Sequence, residues 1–250
     1  MPPRGLLGRI RDALKFGGRL HQKPMHKVLK QMKRRGIDLS TLHALEVFGY
    51  TGELHTIYYA PYVSSLEIWE IDPRYEERLK RNLPRAKVRI VDSYEEIKLT
   101  PDRYDLVVVD NPMQNHGNHS EHFDLFPHIY RVCLSPTIVV LNTIPKIDDA
   151  DQVDYPNLFN EVHLARRRAF YGTDHAEKIS LSTIAGTYRR LAAADGFHVE
   201  WSFFVKRTSV YYFVSKIVRS ASRPSDPHAR PGSDILKAPP LHQDEAEVTC

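Results

Sequence analysis

Apolar residues between positions 40 and 145 fall into short continuous runs that alternate with stretches of helical spacing. Runs of this length are typical of strands that are buried on both faces of a sheet. The five runs are LHALEVFG (42–49), SLEIWEID (65–72), KVRIVD (87–92), YDLVVVD (104–110) and TIVVLN (137–142). Helices are predicted between them at PRYEERLKRNL (73–83) and HFDLFPHIYRVCL (122–134). Strands that alternate with helices indicate βαβ units and a parallel sheet.

The chain continues after Asn142 with a polar insertion and two helical segments, at about 156–171 and 180–194. The arginine triplet 166–168 is expected on a solvated helix face. Two aromatic runs follow, FHVEWSFFVKR and SVYYFVSKIVR, and only Thr208 and its neighbours separate them. This spacing predicts a hairpin. The predicted architecture is therefore an α/β fold in which five parallel strands precede an antiparallel C-terminal hairpin.

The two ends of the chain differ from its middle in charge and composition. Residues 1–36 contain eleven Lys or Arg and a single acid, and HKVLKQMKRRG (26–36) predicts a basic helix. Residues 220–250 contain five prolines and no aromatic residue, a composition that indicates disorder. The sequence thus predicts a basic helical N-terminal arm or cap (1–36), a main domain (37–219) and a disordered tail (220–250).

Composition excludes several classes of protein. The chain is 42% hydrophobic and 26% charged, which is ordinary for a globular domain. No apolar run approaches the ~18 residues of a membrane span, and the first residues lack the apolar core of a secretory signal. Two cysteines exclude a disulfide framework and a cysteine-built zinc site. A cytoplasmic protein is expected.

Acidic side chains end the first four predicted strands. In an open α/β sheet, ligands bind outside the carboxyl ends of the strands, so these positions are candidates for a binding site. A carboxylate at the second strand end could accept both hydroxyls of a ribose, and one after the third could accept from the amine of adenine. The strand ends are Glu46 to Gly52, Glu70 to Asp72, Asp92-Ser93 and Asp110-Asn111.

With these residues, positions 40–218 resemble the class I S-adenosylmethionine-dependent methyltransferases. The resemblance implies a seven-stranded, mostly parallel Rossmann-like sheet of order 3-2-1-4-5-7-6. It also implies S-adenosylmethionine as cofactor, with the glycine loop and Glu46 at the methionine part, Glu70 at the ribose and Asp92 at the adenine. Phe48 and Tyr50 occupy two positions where the family usually has glycine. The implied cofactor residues are Glu46, Phe48, Gly49, Tyr50, Gly52, Glu70, Asp72, Asp92 and Ser93.

Candidate catalytic residues follow the fourth strand. Asp110 opens the motif that faces the transferred methyl group in the family, and Asn111 follows it. His116, His119 and His122 recur at three-residue steps, and an imidazole near neutrality suits the removal of a proton from a hydroxyl. Asp110, Asn111, His116 and His119 are therefore the predicted catalytic residues. A metal site built from these histidines with Glu121 and Asp124 is an alternative, but no metal is predicted.

The leading hypothesis is an enzyme, a methyltransferase that acts on a small molecule or glycan, at oxygen. A nucleic-acid (RNA) methyltransferase that uses the basic arm is the first alternative, since the Tyr-Thr-Gly loop is similar to one seen in some RNA methyltransferases. A non-catalytic scaffold with a cofactor fold is the second. Aminopropyl transfer ranks below these, because the Asp-rich box of such enzymes is absent.

The basic arm has three interpretations. It could bind the phosphates of a nucleic acid, lie on an anionic membrane, or cap the substrate side of the sheet. We favour the cap for residues 24–36. Membrane-surface contact is favoured for residues 4–16, which would make the protein peripheral at the membrane.

Overall fold

The structure is a computed structural model that describes residues 24–110, 115–116, 119–120, 122–147, 160–207 and 210–220. The arm segment 4–16, the tail beyond residue 220 and Asn111 lie outside the described residues. Of His116 only the backbone is described.

Nine strands and six α-helices make up the described part of the chain. The strands are β1 (His43–Val47), β2 (Ser65–Glu70), β3 (Lys87–Ile90), β4 (Tyr104–Val109), β5 (Asn115–His116), β6 (His119–Ser120), β7 (Cys133–Thr143), β8 (Phe197–Lys206) and β9 (Tyr211–Arg219). The helices are α1 (Pro24–Arg34), α2 (Glu76–Asn82), α3 (Ser93–Leu99), α4 (Phe126–Ile129), α5 (Glu161–Tyr171) and α6 (Leu181–Ala194).

Seven strands form one sheet in the order β3-β2-β1-β4-β7-β9-β8. When these seven are counted along the chain, this is the predicted order 3-2-1-4-5-7-6. Strand β9 is antiparallel to β7 and to β8, and the other pairings are parallel. The predicted fold class is therefore confirmed.

Both faces of the sheet are buried under helices. On one face, Leu45 and Val47 of β1 belong to an apolar cluster that includes side chains of α3, α4, α5 and α6. On the other face, Ala44 packs in a cluster with Met25 and Val28 of α1 and with Leu79 of α2. Because both faces are covered, the inner strands are continuous apolar runs, which explains why they were visible in the sequence. None of the described helices has the length and apolar content that a membrane span requires.

A glycine turn after the first strand predicts a following helix whose N-terminal N–H groups suit a ligand carboxylate. The connection from β1 to β2 differs from this prediction. It contains two short 3₁₀ helices, Thr56–Tyr58 and Ala60–Tyr62. Pro61 at the start of the second one lacks a backbone N–H and prevents the first from continuing into it. The helix N-terminus that would have faced a ligand carboxylate is therefore not found in this connection.

Two helices also differ from the prediction. The helix expected over 122–134 is only the single turn α4, because the chain enters β7 at Cys133, well before the apolar run. The first residues of β7, at 134–136, are exposed and gave no apolar signal. Helix α3 was not predicted, although Asp92 with Glu95 three residues later is a capping-box pattern that could have indicated it.

Candidate active site

The predicted cofactor residues lie at the carboxyl ends of three adjacent strands. The backbone N–H of Gly49, which follows β1, donates to the carbonyl oxygen of Trp69 in β2 at 2.9 Å. The N–H of Val91, which follows β3, donates to the carbonyl oxygen of Glu70 at 2.8 Å. Glu70 and Asp92 are therefore neighbours on one edge of the sheet. Their role as cofactor ligands stays a prediction.

Glu70 fixes the turn at residues 48–52, which we call the β1 turn. Its Oε2 accepts the backbone N–H of Tyr50 at 2.5 Å, and its Oε1 accepts that of Asp72 at 2.8 Å. The residue is only 6% exposed. Hydrogen bonds to a carboxylate in such a site are stronger than those between neutral groups. One side chain thus ties the end of β2 to the turn after β1.

The β1 turn contains two non-glycine residues in the left-handed region, Phe48 with φ of 68° and Tyr50 with φ of 49°. These are the two positions at which the family usually has glycine, so the glycine-like backbone persists without the glycines. Each such residue costs about 1–2 kcal/mol. The rings of both residues pack on other aromatic rings. The ring centroids of Phe48 and Tyr94 are 5.5 Å apart, and those of Tyr50 and Tyr75 are 4.6 Å apart.

Gly49 and Gly52 are required by packing within the protein. A Cβ at Gly49 would lie 2.2 Å from the Cγ2 of Ile68, and one at Gly52 would lie 2.5 Å from the Cδ1 of Leu83. Both distances are far inside van der Waals contact. The two glycines therefore let the β1 turn lie against β2 and the end of α2. Their role at the cofactor stays a prediction.

Asp92 and Asp72 each cap a helix. The Oδ1 of Asp92 accepts the N–H of Tyr94 at 2.9 Å at the start of α3, where Ser93 is buried. Asp72 accepts the N–H of Arg74 and pairs with its guanidinium, and the pKa of the Asp72 carboxyl is held below its usual value by this arginine. Asp72 is thus engaged locally, while the Oδ2 of Asp92 has no partner among the described residues.

Glu46 lies in β1, just before the β1 turn, and is buried. Its Oε1 accepts from the hydroxyl of Thr56 at 2.8 Å, and its Oε2 accepts from the hydroxyl of Tyr59. Burial raises the pKa of Glu46 to about 8, with a smaller contribution from the charge of Asp110. The side chain therefore holds its proton at neutral pH and ties the 3₁₀ segment to β1.

Asp110 is the centre of a buried polar group that the sequence analysis did not foresee. Its Oδ1 accepts from Arg207 at 3.0 Å and from the side-chain amide of Asn142. Its Oδ2 accepts from the hydroxyl of Tyr212 at 2.9 Å and lies 3.2 Å from the Nε2 of His55. The side chain of Asp110 is 5% exposed. We call these five residues the Asp110 cluster.

Arg207 connects the members of the Asp110 cluster. It also donates to the Oδ1 of Asn142 at 2.7 Å, lies 2.6 Å from the Nε2 of His55, and packs over the ring of Tyr212. Nothing in the local sequence indicated Arg207 or His55, because their contacts join distant parts of the chain. Arg207 lies 97 residues from Asp110 and 152 residues from His55 along the sequence. Only the folded sheet brings the end of β8 to the end of β4.

His119 lies near the first turn of α3. Its ring stacks on Tyr94 with centroids 3.6 Å apart, and its Nδ1 lies 2.8 Å from the Oδ2 of Asp124. Arg166 donates to the same oxygen at 3.0 Å. This places His119 beside the predicted adenine end of the site. Its role as a base stays a prediction, as do those of Asn111 and His116.

The two histidines of the series whose side chains the structure describes, His119 and His122, lie in different surroundings. His122 is fully buried and lies 2.5 Å from the hydroxyl of Tyr188, among aromatic rings of the core. His119 instead contacts Tyr94 and Asp124. Within the described part of the chain, no group of three or more His, Cys, Asp or Glu could hold a metal ion.

Comparison with known proteins identifies the fold. No family model matches this chain, and no curated protein sequence matches it. Magnesium protoporphyrin IX methyltransferase from Synechocystis PCC 6803 with bound SAH superimposes with a TM-score of 0.51 at 15% identity, over 86% of this chain and 95% of that chain. The same enzyme with bound SAM gives a TM-score of 0.50 at 12% identity, over 86% and 92%.

A third solved structure is the N-methyltransferase NodS from Bradyrhizobium japonicum WM9 in complex with SAH. It gives a TM-score of 0.49 at 13% identity and covers 81% of this chain and 91% of that chain. At identities this low, the likeness of these structures to the chain concerns the fold.

The strain in the β1 turn predicts an unusual order of stability at Tyr50. Tyr50→Gly should be more stable than Tyr50→Ala by about 1 kcal/mol, because both lose the ring but only glycine adopts this φ without cost. Urea denaturation of the two variants measures the difference. As a control, Arg190→Ala should be more stable than Arg190→Gly by about 1 kcal/mol, since this exposed residue lies inside α6. An alanine variant at position 50 as stable as the glycine variant would contradict the strain.

The raised pKa of Glu46 predicts a dependence of stability on pH. Its ordinary pKa is 4.5 and its pKa in the folded protein is about 8, so between these values the folded state holds a proton that the unfolded state has lost. The free energy of unfolding should therefore fall as pH rises from 5 to 8, by up to about 1.4 kcal/mol per pH unit.

Glu46→Gln should lack this contribution and be less sensitive to pH over the same range. Glu53→Gln is the control: the pKa of Glu53 is lowered by Arg78, so the group is ionised in both states above pH 5 and its removal should leave the slope unchanged. Denaturation curves collected across this pH range test both. Parallel profiles for the parent and Glu46→Gln would show that Glu46 is ionised in the folded protein.

Proposed function

We propose that this chain, which has the fold of class I S-adenosylmethionine-dependent methyltransferases, binds S-adenosylmethionine and transfers its methyl group. One observation supports this most directly: Glu70 and Asp92 end adjacent strands beside a β1 turn that is already fixed. In an open α/β sheet, this edge is where ligands bind. The neighbours of this fold are crystallised with SAM or SAH.

The side chains present fit an adenosine. Each oxygen of Glu70 accepts one backbone N–H and retains a second lone pair, so the pair of oxygens could accept both ribose hydroxyls. The Oδ2 of Asp92 could accept from the exocyclic amine while Oδ1 caps α3. The ring of Tyr94 and that of His119 lie beside this position. We propose that these four residues hold the nucleoside.

S-adenosylmethionine supplies a methyl group already activated on a sulfonium, so the protein has mainly to position donor and acceptor. The β1 turn positions the donor, because Glu70, Gly49 and Gly52 fix it against β2 and α2. A protonated carboxyl offers no charge to the ammonium group of the methionine part. Glu46 would therefore act indirectly, by holding Tyr59 and Thr56 in place. The methionine part would then contact the backbone of the turn.

We assign Asp110 a positioning role. Its carboxylate already accepts from three side chains and lies beside His55, so it has little capacity to remove a proton from an acceptor. Instead, the Asp110 cluster would hold the end of β4 in a fixed position relative to the β1 turn. Proton removal is then left to a residue of the loop after β4. Because His119 is assigned to the nucleoside, His116 is the remaining histidine of the predicted catalytic set for this role.

The acceptor that the sequence favours is a small molecule or glycan, methylated at oxygen. A second candidate is a nucleic acid, and one feature of the fold favours it: the exposed face of α1 contains Lys and Arg residues but no acid. We retain both acceptor classes, and the surface of α1 is the feature that separates them.

Replacing Asp92 tests the proposed cofactor site. Asp92→Asn keeps an oxygen to cap α3 but presents an NH₂ group in place of Oδ2, and this group cannot accept from adenine. We expect SAH to bind this variant about tenfold more weakly than the parent in a calorimetric titration. Asp38→Asn is the matched control, since Asp38 caps a 3₁₀ helix before β1 by the same contact.

This experiment tests cofactor binding and the assignment of Asp92 separately. A parent protein that gives no heat with SAH would overturn the proposed function. A parent that binds, with Asp92→Asn as tight as Asp38→Asn, would overturn the assignment of Asp92 alone.

A further inference from the structure

Helix α1 presents a dense basic surface. Its apolar residues face the sheet, where Met25, Val28 and Met32 are buried. Its exposed positions include five cations and no carboxylate, and Lys206 at the end of β8 adds a sixth. The five on or next to the helix are Lys27, Lys30, Lys33, Arg34 and Arg35.

These six cations have no acidic partner in the part of the chain that the structure describes. The contrast with α2 is direct, since Lys80 there pairs with Glu76 at 2.7 Å. Lys27, Lys30 and Arg34 follow one another at spacings of three and four, so like charges are neighbours on one helix face. Such pairs destabilise a helix by a few tenths of a kcal/mol each. A bound polyanion would remove this repulsion.

Four of the six cations line a groove of about 390 Å³ between α1 and β8, namely Lys27, Lys30, Arg34 and Lys206. Its walls are Lys27, Lys30, Gln31 and Arg34 on one side and residues 204–206 on the other. Strand β8 is the last strand of the sheet, so its outer backbone edge faces away from the other strands. We call this feature the basic groove.

One end of the basic groove lies at the same carboxyl edge of the sheet as the candidate active site. Strand β8 runs parallel to β7, so Lys206 lies at the carboxyl edge, and the next residue, Arg207, contacts Asp110. At the start of α1, His26 packs on Tyr58 of the segment that follows the β1 turn, with centroids 4.8 Å apart. A chain that follows the groove would therefore reach the carboxyl edge of the sheet at its β8 end, next to the Asp110 cluster, with β2 and β3 at the other end of the same edge.

We propose that the basic groove binds the phosphodiester backbone of a single-stranded nucleic acid. A row of cations at helical spacing suits a chain with a phosphate at every residue, and release of its counterions drives association. A duplex presents the same phosphates, so competition by a duplex is one of the outcomes tested below. The binding itself is independent of the proposed function; only the further step, that the bound strand is the methyl acceptor, rests on it.

An anionic membrane fits this surface less well. A helix that binds a bilayer inserts an apolar face between the headgroups. The apolar face of α1 is already buried against the sheet through Met25, Val28 and Met32, so it has none to insert. The cations also line a concave surface, which a flat bilayer does not enter.

Fluorescence anisotropy with a labelled oligouridylate of about 12 nucleotides, a length within the usual range of single-strand binding sites, tests the inference on the full chain. For the parent, the logarithm of the association constant should fall linearly with the logarithm of salt, with a slope of about −3 if four cations of the groove meet phosphates. The double variant Lys30→Glu/Arg34→Glu should bind about tenfold more weakly or worse, with a slope smaller by about 1.4.

The matched control is Arg81→Glu/Arg85→Glu, which changes the net charge equally at exposed residues near the other end of the sheet. It should bind the oligonucleotide within about twofold of the parent. Equal binding by the parent and both double variants would overturn the proposal. So would charge-dependent flotation with phosphatidylglycerol vesicles in the absence of oligonucleotide binding.

Two further measurements separate the causes of a negative result. SAH affinity should be unchanged in Lys30→Glu/Arg34→Glu, so a loss of oligonucleotide binding alone concerns the groove and a loss of both concerns the fold. Competition by an unlabelled RNA duplex as effective as that by the single strand would contradict the assignment to a single strand.

Discussion

The carboxylate of Glu70 accepts the backbone N–H groups of Tyr50 and Asp72, and the geometry of the candidate site depends on this pair of hydrogen bonds. They hold a turn in which two aromatic residues adopt left-handed backbone at a cost of about 1–2 kcal/mol each. Close packing of Gly49 against Ile68 completes the turn. Without a fixed acceptor at the end of β2, a strained turn of this kind would relax, and the edge of the sheet would lose its shape.

A second constraint connects the C-terminal hairpin to the centre of the sheet. Asp110 and Arg207 form an ion pair that is mostly buried, and such pairs persist where further hydrogen bonds satisfy both partners. Asn142, Tyr212 and His55 supply those bonds. The cluster therefore fixes the end of β4 relative to the end of β8, and with it the position of the basic groove relative to the β1 turn.

The sequence predicted the sheet well because its inner strands are buried on both faces and are therefore continuously apolar. The acids at the strand ends were visible for the same reason, since each interrupts an apolar run at its last residue. Arg167 shows where this reasoning stops: it was expected on a solvated face, but it is fully buried and donates to the carbonyl oxygens of Ile144 and Ala176. Its partners belong to other segments, and spacing along one helix does not reveal them.

The site was predicted only in part for a related reason. Strand ends could be placed on one edge from topology alone, which brought Glu70 and Asp92 together. The contacts of their side chains required coordinates: Asp72 is engaged by Arg74, and Asp110 by residues far along the chain. Gly49 and Gly52 correctly indicated a tight turn, but their packing against Ile68 and Leu83 was not visible in the sequence.

Hydrogen–deuterium exchange with and without excess SAH tests the central claim most directly, because it reports where along the chain a nucleoside binds. A nucleoside bound between Glu70 and Asp92 should slow exchange in the β1 turn and in the first turn of α3 and leave exchange in α1 and β8 unchanged. Protection confined to α1 and β8, or no protection at either strand end, would contradict a nucleoside site between Glu70 and Asp92.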